Sequence, residues 1–181
     1  MKALQRAGQL LLEKSYIQRD VLLTSGRRSD YYFDCKQTAL DAEGGWLLGR
    51  CFLDELRPDV QGVGGMTLGA DPLVSAVSVL SYIEGRPIPA FIVRKKAKGH
   101  GTNQYLEGLG NFPTGAKVAV LEDVVTTGGS LLTACRRVQD VGLEILQVLC
   151  VLDREEGGKE LLAQQGFSLQ ALFTKHNLFT T

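Results

Sequence analysis

Residues 118–130 read VAVLEDVVTTGGS, and this stretch decides how the rest of the chain is read. Val118 to Leu121 are four apolar residues, two of them β-branched, the composition of a strand buried on both faces. Glu122 and Asp123 sit where that strand emerges. Thr126-Thr127-Gly128-Gly129-Ser130 then leads into a helix, so free backbone N–H groups and hydroxyls meet where no bulky side chain intrudes, which makes a phosphate cradle. No Lys follows the glycines, which excludes a Walker A loop. Two carboxylates beside a phosphate repel it unless the ligand bridges them, through ribose hydroxyls or a magnesium ion. A ribose 5-phosphate meets both requirements. Taken singly, an acidic strand end or a Thr/Gly cap is ordinary; joined at this spacing they are not.

Outward from this stretch, apolar runs alternate with helical patterns, the signature of an α/β fold with a mostly parallel sheet flanked by helices. An amphipathic helix opens the chain, and a hairpin is expected over 21–36 with its turn at Ser25-Gly26. Asp41 is placed to cap a helix carrying Trp46, Leu47, Cys51, Phe52 and Leu56, which Pro58 stops. Strands are expected at 60–65, 88–93, 117–121, 144–152 and 168–173, and helices at 68–84, 129–141 and 157–165. With no repeat, linker or low-complexity run, 1–181 reads as one domain with a small hood from about residue 1 to 40. Twenty Lys plus Arg balance twenty Asp plus Glu. That gives no global field toward nucleic acid or membrane, and any anion site must be local. The N-terminus, broken by Arg6, Gln9 and Glu13, resembles neither a signal peptide nor a membrane span. Cys35, Cys51, Cys135 and Cys150 form no CxxC pair, which fits free thiols in the cytoplasm.

Ligands of such sheets bind beyond the carboxyl ends of the strands, and three further segments follow strands. Arg94-Lys95-Lys96-Ala97-Lys98-Gly99-His100-Gly101 opens a long loop with cationic residues framed by glycines, suited to cover a polyanion. The bland reading is a solvated basic loop. Gly62 to Asp71 is a second glycine-rich segment, but Thr67 stands where a dinucleotide fingerprint needs glycine. Asp153-Arg154 ends a strand ahead of Gly157-Gly158, and a guanidinium fork there suits a planar carboxylate. As isolated residues, an exposed Asp-Arg surface pair is the commoner outcome.

The stretch 118–130 resembles the phosphoribosyl pyrophosphate signature of the type I phosphoribosyltransferases. FIVRKKAKGHGTNQYLEG at 91–108 and DREEGG at 153–158 resemble orotate phosphoribosyltransferases in particular, as does the hood segment LTSGRRSDYYFDCKQTAL. The resemblance runs from about residue 8 to 158. It implies a type I phosphoribosyltransferase fold and Mg²⁺-dependent transfer of ribose 5-phosphate from phosphoribosyl pyrophosphate (PRPP) to orotate, a step of pyrimidine synthesis. It implies PRPP binding by Arg94, Lys95, Lys98, His100, Glu122, Asp123, Val124, Val125, Thr126, Thr127, Gly128, Gly129 and Ser130. Of these, Lys98, His100 and Asp123 are implied to be catalytic. Arg154 is the implied base reader, helped by Thr126, with Lys36 and Tyr32 in the hood.

The metal is implied to be held mainly through PRPP and water, without direct protein ligands. The basic loop implies a homodimer with shared sites. Some relatives carry Lys where this chain has Thr24, which shifts orientation of the base onto Lys36 or Tyr32, and some carry Lys where it has Met66-Thr67-Leu68, which shifts the positive charge for pyrophosphate onto the basic loop. A purine phosphoribosyltransferase would keep the 118–130 motif but needs no Arg154. A non-catalytic nucleotide- and RNA-binding regulator on this fold is disfavoured by the zero net charge and the complete loop. A dinucleotide-dependent oxidoreductase is a distant third.

Overall fold

The computed structural model describes residues 2–22, 28–97 and 104–179. The chain opens with α1 (Lys2–Lys14), whose buried Ala7, Leu10 and Leu11 recur at helical spacing. β1 (Tyr16–Leu22) and β2 (Arg28–Phe33) pair antiparallel, Tyr16 opposite Phe33 and Leu22 opposite Arg28, with an irregularity between Gln18 and Val21. The expected hairpin is therefore present, but its first strand already starts at Tyr16; Ser25-Gly26 lies outside the described residues. A short helix not anticipated from sequence, α2 (Lys36–Ala39), leads to α3 (Ala42–Glu55). Asp41 caps α3 as expected, its Oδ1 accepting the Glu43 and Gly44 N–H groups at 3.0 Å each.

The main sheet is built from β3 (Gly62–Met66), β4 (Ala90–Val93), β5 (Leu106–Glu107), β6 (Lys117–Val125), β7 (Glu144–Asp153) and β8 (Leu169–Thr174). Between them run α4 (Asp71–Ile83), a 3₁₀ turn at Leu109–Asn111, α5 (Gly129–Asp140) and α6 (Gly158–Gln164), and α7 (Lys175–Leu178) follows β8. The strand order is β5-β4-β3-β6-β7-β8. All neighbours are parallel except β5, which runs antiparallel to β4. After β3 the chain turns outward to β4 and then returns to place β6 on the other side of β3. That reversal opens a crevice between the carboxyl ends of β3 and β6.

Alternation along β6 divides the interior. Ala119 and Leu121 join Leu48, Phe52, Leu73 and Val77 of α3 and α4 on one face. Val118 and Val120 pack with Leu131, Cys135 and Val138 of α5 on the other. The first cluster continues without a break into the hood, through Tyr31 and Phe33, and into the C-terminal residues Phe173 and Leu178. Each fully buried Leu or Phe stabilises the fold by about 1.5–3 kcal/mol.

One expectation needs correction. The strand predicted at 117–121 extends to Val125, because Glu122, Val124 and Val125 stay paired with Cys150, Leu152 and Asp153 of β7. Both carboxylates thus rise from sheet backbone, not from a loop. The glycine-rich run at 62–65 is a strand, and its glycines make room for neighbouring protein. A Cβ at Gly62 would lie 2.1 Å from the Phe112 ring, and one at Gly64 2.1 Å from Phe91. Of this segment, Met66 at the end of the strand and Thr67, Leu68 and Gly69 beyond it reach the crevice.

Asp41 also pairs with Lys14 of α1 at 2.9 Å, so it joins the cap of α3 to the hood helix. Asp41→Ala is expected to lower the unfolding free energy by about 1 kcal/mol, read as a lower urea midpoint with unchanged m.

Candidate active site

Glu122 is 6% exposed. Its Oε1 accepts the Asp123 N–H at 3.3 Å, and its Oε2 has no hydrogen-bond partner among the described residues. Burial first, and then the neighbouring Asp123 charge and hydrogen bond, push its pKa well above the usual carboxylate range. Asp123 lies beside it in the walls of the same cavities. Its Oδ1 accepts the Val124 N–H at 2.9 Å, and its Oδ2 stands 3.6 Å from the Lys36 ammonium. The buried Glu122 Oε2 is left able to bond a donor such as a ligand hydroxyl.

Two cavities of about 250 and 260 Å³ meet over this pair, with Lys36, Glu122, Asp123, Val124 and Ser130 in the walls of both. The first is completed by Thr126, Thr127, Gly128 and Gly129, by Tyr32 and Phe33 of the hood, and by Arg154. The second is completed by Met66 at the end of β3, by Thr67, Leu68 and Gly69 beyond it, and by Lys95 beyond β4. Gly69 has to lack a side chain, since a Cβ there would sit 2.4 Å from Asp123 Oδ1.

At the start of α5, Gly128 takes φ +79, a left-handed conformation that favours glycine. A Cβ at Gly129 would meet no protein atom within 4 Å. The first N–H groups of α5 thus face the first cavity unobstructed, where the helix dipole adds to their attraction for an anion. Val124 and Val125, expected to touch ligand, also line this cavity. Val125 is nevertheless a core residue, 2% exposed.

Lys36 is held by Asp34 at 2.8 Å. Burial lowers its pKa, but Asp34 and Asp123 outweigh that effect and hold it above the ordinary value. Among the basic-loop residues, Lys95 faces the second cavity, while Arg94 pairs with Glu107 at 2.7 Å and so braces the stem of the loop. Lys98, His100 and Thr24 lie outside the described residues. Arg137 of α5 was not singled out from sequence. It donates to the carbonyls of Arg94 and Lys95 and lies 4.0 Å over the Tyr105 ring, clamping both sides of the stem. Its 43-residue separation from Arg94 left no sequence signal.

Arg154 reaches the first cavity from the end of β7. It is only 4% exposed and pairs with Glu156 at 2.9 Å, so the expectation of an exposed surface pair for Asp153-Arg154 does not hold. Its backbone N–H donates to the Val125 carbonyl at 2.9 Å, which ties the residue's main chain to the acidic strand.

A family model for the phosphoribosyl transferase domain matches residues 64–180. The orotate phosphoribosyltransferase of Thermosynechococcus vestitus is 51% identical over 164 residues, covering 91% of this chain and 86% of that protein. The chain belongs to the orotate phosphoribosyltransferases. Two crystal structures of the family member from Mycobacterium tuberculosis share the fold. One, in complex with Fe(III) dicitrate, has a TM-score of 0.84 at 38% identity, over 97% of this chain and 98% of that one. The other, in complex with PRPP, has a TM-score of 0.80 at 35% identity, over 98% and 99%. Family membership agrees with the mostly parallel sheet, the hood and the signature stretch from which the α/β reading started.

Glu122 supplies a stability test. Its folded pKa is raised above the ordinary 4.5, so the unfolded chain releases the proton first and stability is lost as pH climbs from the unfolded toward the folded value. Glu122→Gln is expected to raise Tm at about pH 8 and to leave it nearly unchanged near about pH 4, where the native acid is protonated in both states. A scan of Tm against pH checks this.

Proposed function

We propose that this orotate phosphoribosyltransferase transfers the ribose 5-phosphate of PRPP to a ring nitrogen of orotate, giving orotidine 5′-monophosphate and pyrophosphate. The carrying observation is the buried Glu122–Asp123 pair at the junction of two cavities. Glu122 and Asp123 hold the ribose hydroxyls. The α5 start, with Thr126, Thr127, Gly128, Gly129 and Ser130, binds the 5-phosphate. Arg154, with Thr126, Tyr32 and Lys36, reads the orotate in the first cavity. The second cavity receives pyrophosphate against Lys95 and the backbone of 67–69.

As the anomeric C–O bond breaks, its electron pair leaves with pyrophosphate while positive charge grows on the ribose. The orotate nitrogen then closes the new C–N bond. No covalent nucleophile is required. The protein contributes positioning and fixed charge: cations at the leaving group, and the acidic pair beside the developing cation. In this reading Lys95, with Lys98 and His100 from the loop whose stem Arg94 braces, completes the positive wall and excludes water from the donor.

No group of three or more His, Cys, Asp or Glu suited to hold a metal ion occurs among the described residues. The chemistry of the donor set still fits Mg²⁺, which keeps several waters and commonly uses one or two carboxylates plus substrate phosphates. PRPP and water would supply most of its ligands, with Asp123 the carboxylate facing it across the ribose site. When bound, the ion neutralises charge building on the leaving pyrophosphate.

A homodimer is supported by Trp46 of α3 and Val79, Tyr82 and Ile83 of α4, 53–74% exposed on two helices packed through Gly49 against Ala76. One domain is supported by the core cluster that the hood shares with the sheet. Cytoplasmic residence is supported by four buried free cysteines. No described helix is long and apolar enough to cross a membrane.

With PRPP and Mg²⁺ present, adding enzyme is expected to deplete orotate absorbance; consumption of adenine or guanine in its place overturns the assignment. Lys98→Ala is expected to lower kcat by about 100-fold or more with little change in orotate KM, checked by steady-state kinetics. Trp46→Glu combined with Ile83→Glu is expected to halve the mass seen by light scattering and to lower activity, because each site then lacks its neighbour's loop.

A further inference from the structure

Tyr31 lines neither cavity, yet it is 5% exposed and lies directly behind the arginine that does. The Arg154 guanidinium carbon stands 4.5 Å from the centre of its ring. Lys175 Nζ, from α7, stands 5.2 Å from the same centre. Phe179, just beyond α7, meets Tyr31 edge-on at 6.2 Å and 80°, and Tyr16 at 5.1 Å and 73°. Tyr16 and Tyr31 are themselves 5.7 Å apart. Three rings from the two ends of the chain thus form one cluster under the guanidinium.

The C-terminal side of this cluster is firmly anchored. Thr174 caps α7 by accepting the Asn177 N–H, and Asn177 accepts the Thr174 N–H in return. Leu178 is 1% exposed in the core. The His176 N–H donates to Glu155 at 2.9 Å, binding α7 to the residue next to Arg154. A guanidinium over an aromatic face is attracted by the ring's negative quadrupole, more strongly where water is excluded. The ring's tilt therefore fixes where the guanidinium fork points, and Phe179 fixes the tilt.

We propose that the C-terminal segment 174–179 is a positioning device for substrate recognition. Phe179 holds the Tyr31 ring, Tyr31 carries the Arg154 guanidinium, and the fork is thereby aimed at the carboxylate of orotate. This rests on the reading of Arg154 as the base-contacting residue. Neither Tyr31 nor Phe179 touches substrate in this scheme, so they affect orotate and not PRPP.

Phe179 is 45% exposed, which makes it the substitution that leaves folding intact. Phe179→Ala is expected to raise orotate KM about three- to tenfold while PRPP KM and kcat stay within about twofold. Phe179→Tyr, which keeps the ring, is expected to restore the orotate KM. In an Arg154→Met background, Phe179→Ala is expected to add nothing further. An equal rise in both KM values, or effects that simply multiply in the double variant, would overturn the positioning role. If Arg154→Met raises orotate KM and Phe179→Ala does not, the positioning role alone falls. If Arg154→Met leaves orotate KM unchanged, the base-reading assignment falls and this inference with it.

Discussion

Two adjacent carboxylates at the sheltered end of a central strand are costly to bury, and much of this molecule is arranged around that cost. Strand pairing with β3 up to Leu121 and with β7 through Val125 keeps β6 extended, so Glu122 and Asp123 are held at the junction of the two cavities. Lys36 is positioned by Asp34 and supplies the nearest positive charge to Asp123. Gly69 yields space so that the segment after β3 can close against the same carboxylate. Glu122 has no such partner on Oε2 among the described residues. That unpartnered oxygen is what leaves hydrogen-bonding capacity for a sugar.

Because the chain's formal charge is zero, the attraction needed by a polyanionic donor is assembled locally. One part is the helix start at Gly128–Gly129, whose N–H groups carry no side-chain charge. The other is the basic loop, whose stem is held between Arg94–Glu107, the β4–β5 ladder and Arg137. Arg137 belongs to the helix that begins at the phosphate cradle. A single rigid element of twelve residues therefore spans from one anion site to the base of the segment that serves the other.

The hood and the C-terminus depend on each other for burial. A two-stranded ribbon is marginal by itself, and here it is completed by α1, by Phe173 of β8 and by Leu178 and Phe179 at the chain's end. Tyr32 and Phe33 reach the first cavity from that ribbon, so acceptor recognition is supported by packing contributed from both termini.

Much of the site was legible in the sequence because its parts are local. Strand, acids, hydroxyls and glycines follow one another within 118–130, and Arg154 follows directly on a buried strand. The Asp41 cap and the alternation of strands and helices were readable for the same reason: hydrogen-bonding and burial periodicities repeat over a few residues. The extension of β6 to Val125 was not, since a carboxylate in a strand is tolerated only when neighbouring strands hold it there. The diversion of Arg94 to Glu107 and the clamp by Arg137 were hidden as well. So were the β3 glycines facing Phe91 and Phe112, and the Arg154–Tyr31–Phe179 stack. Each joins residues far apart in the chain, and side-chain direction across such distances is set by packing. The sequence by itself determined which chemical groups are present and at which strand ends. Only the tertiary structure decided which of them face a ligand and which are spent on holding the others in place.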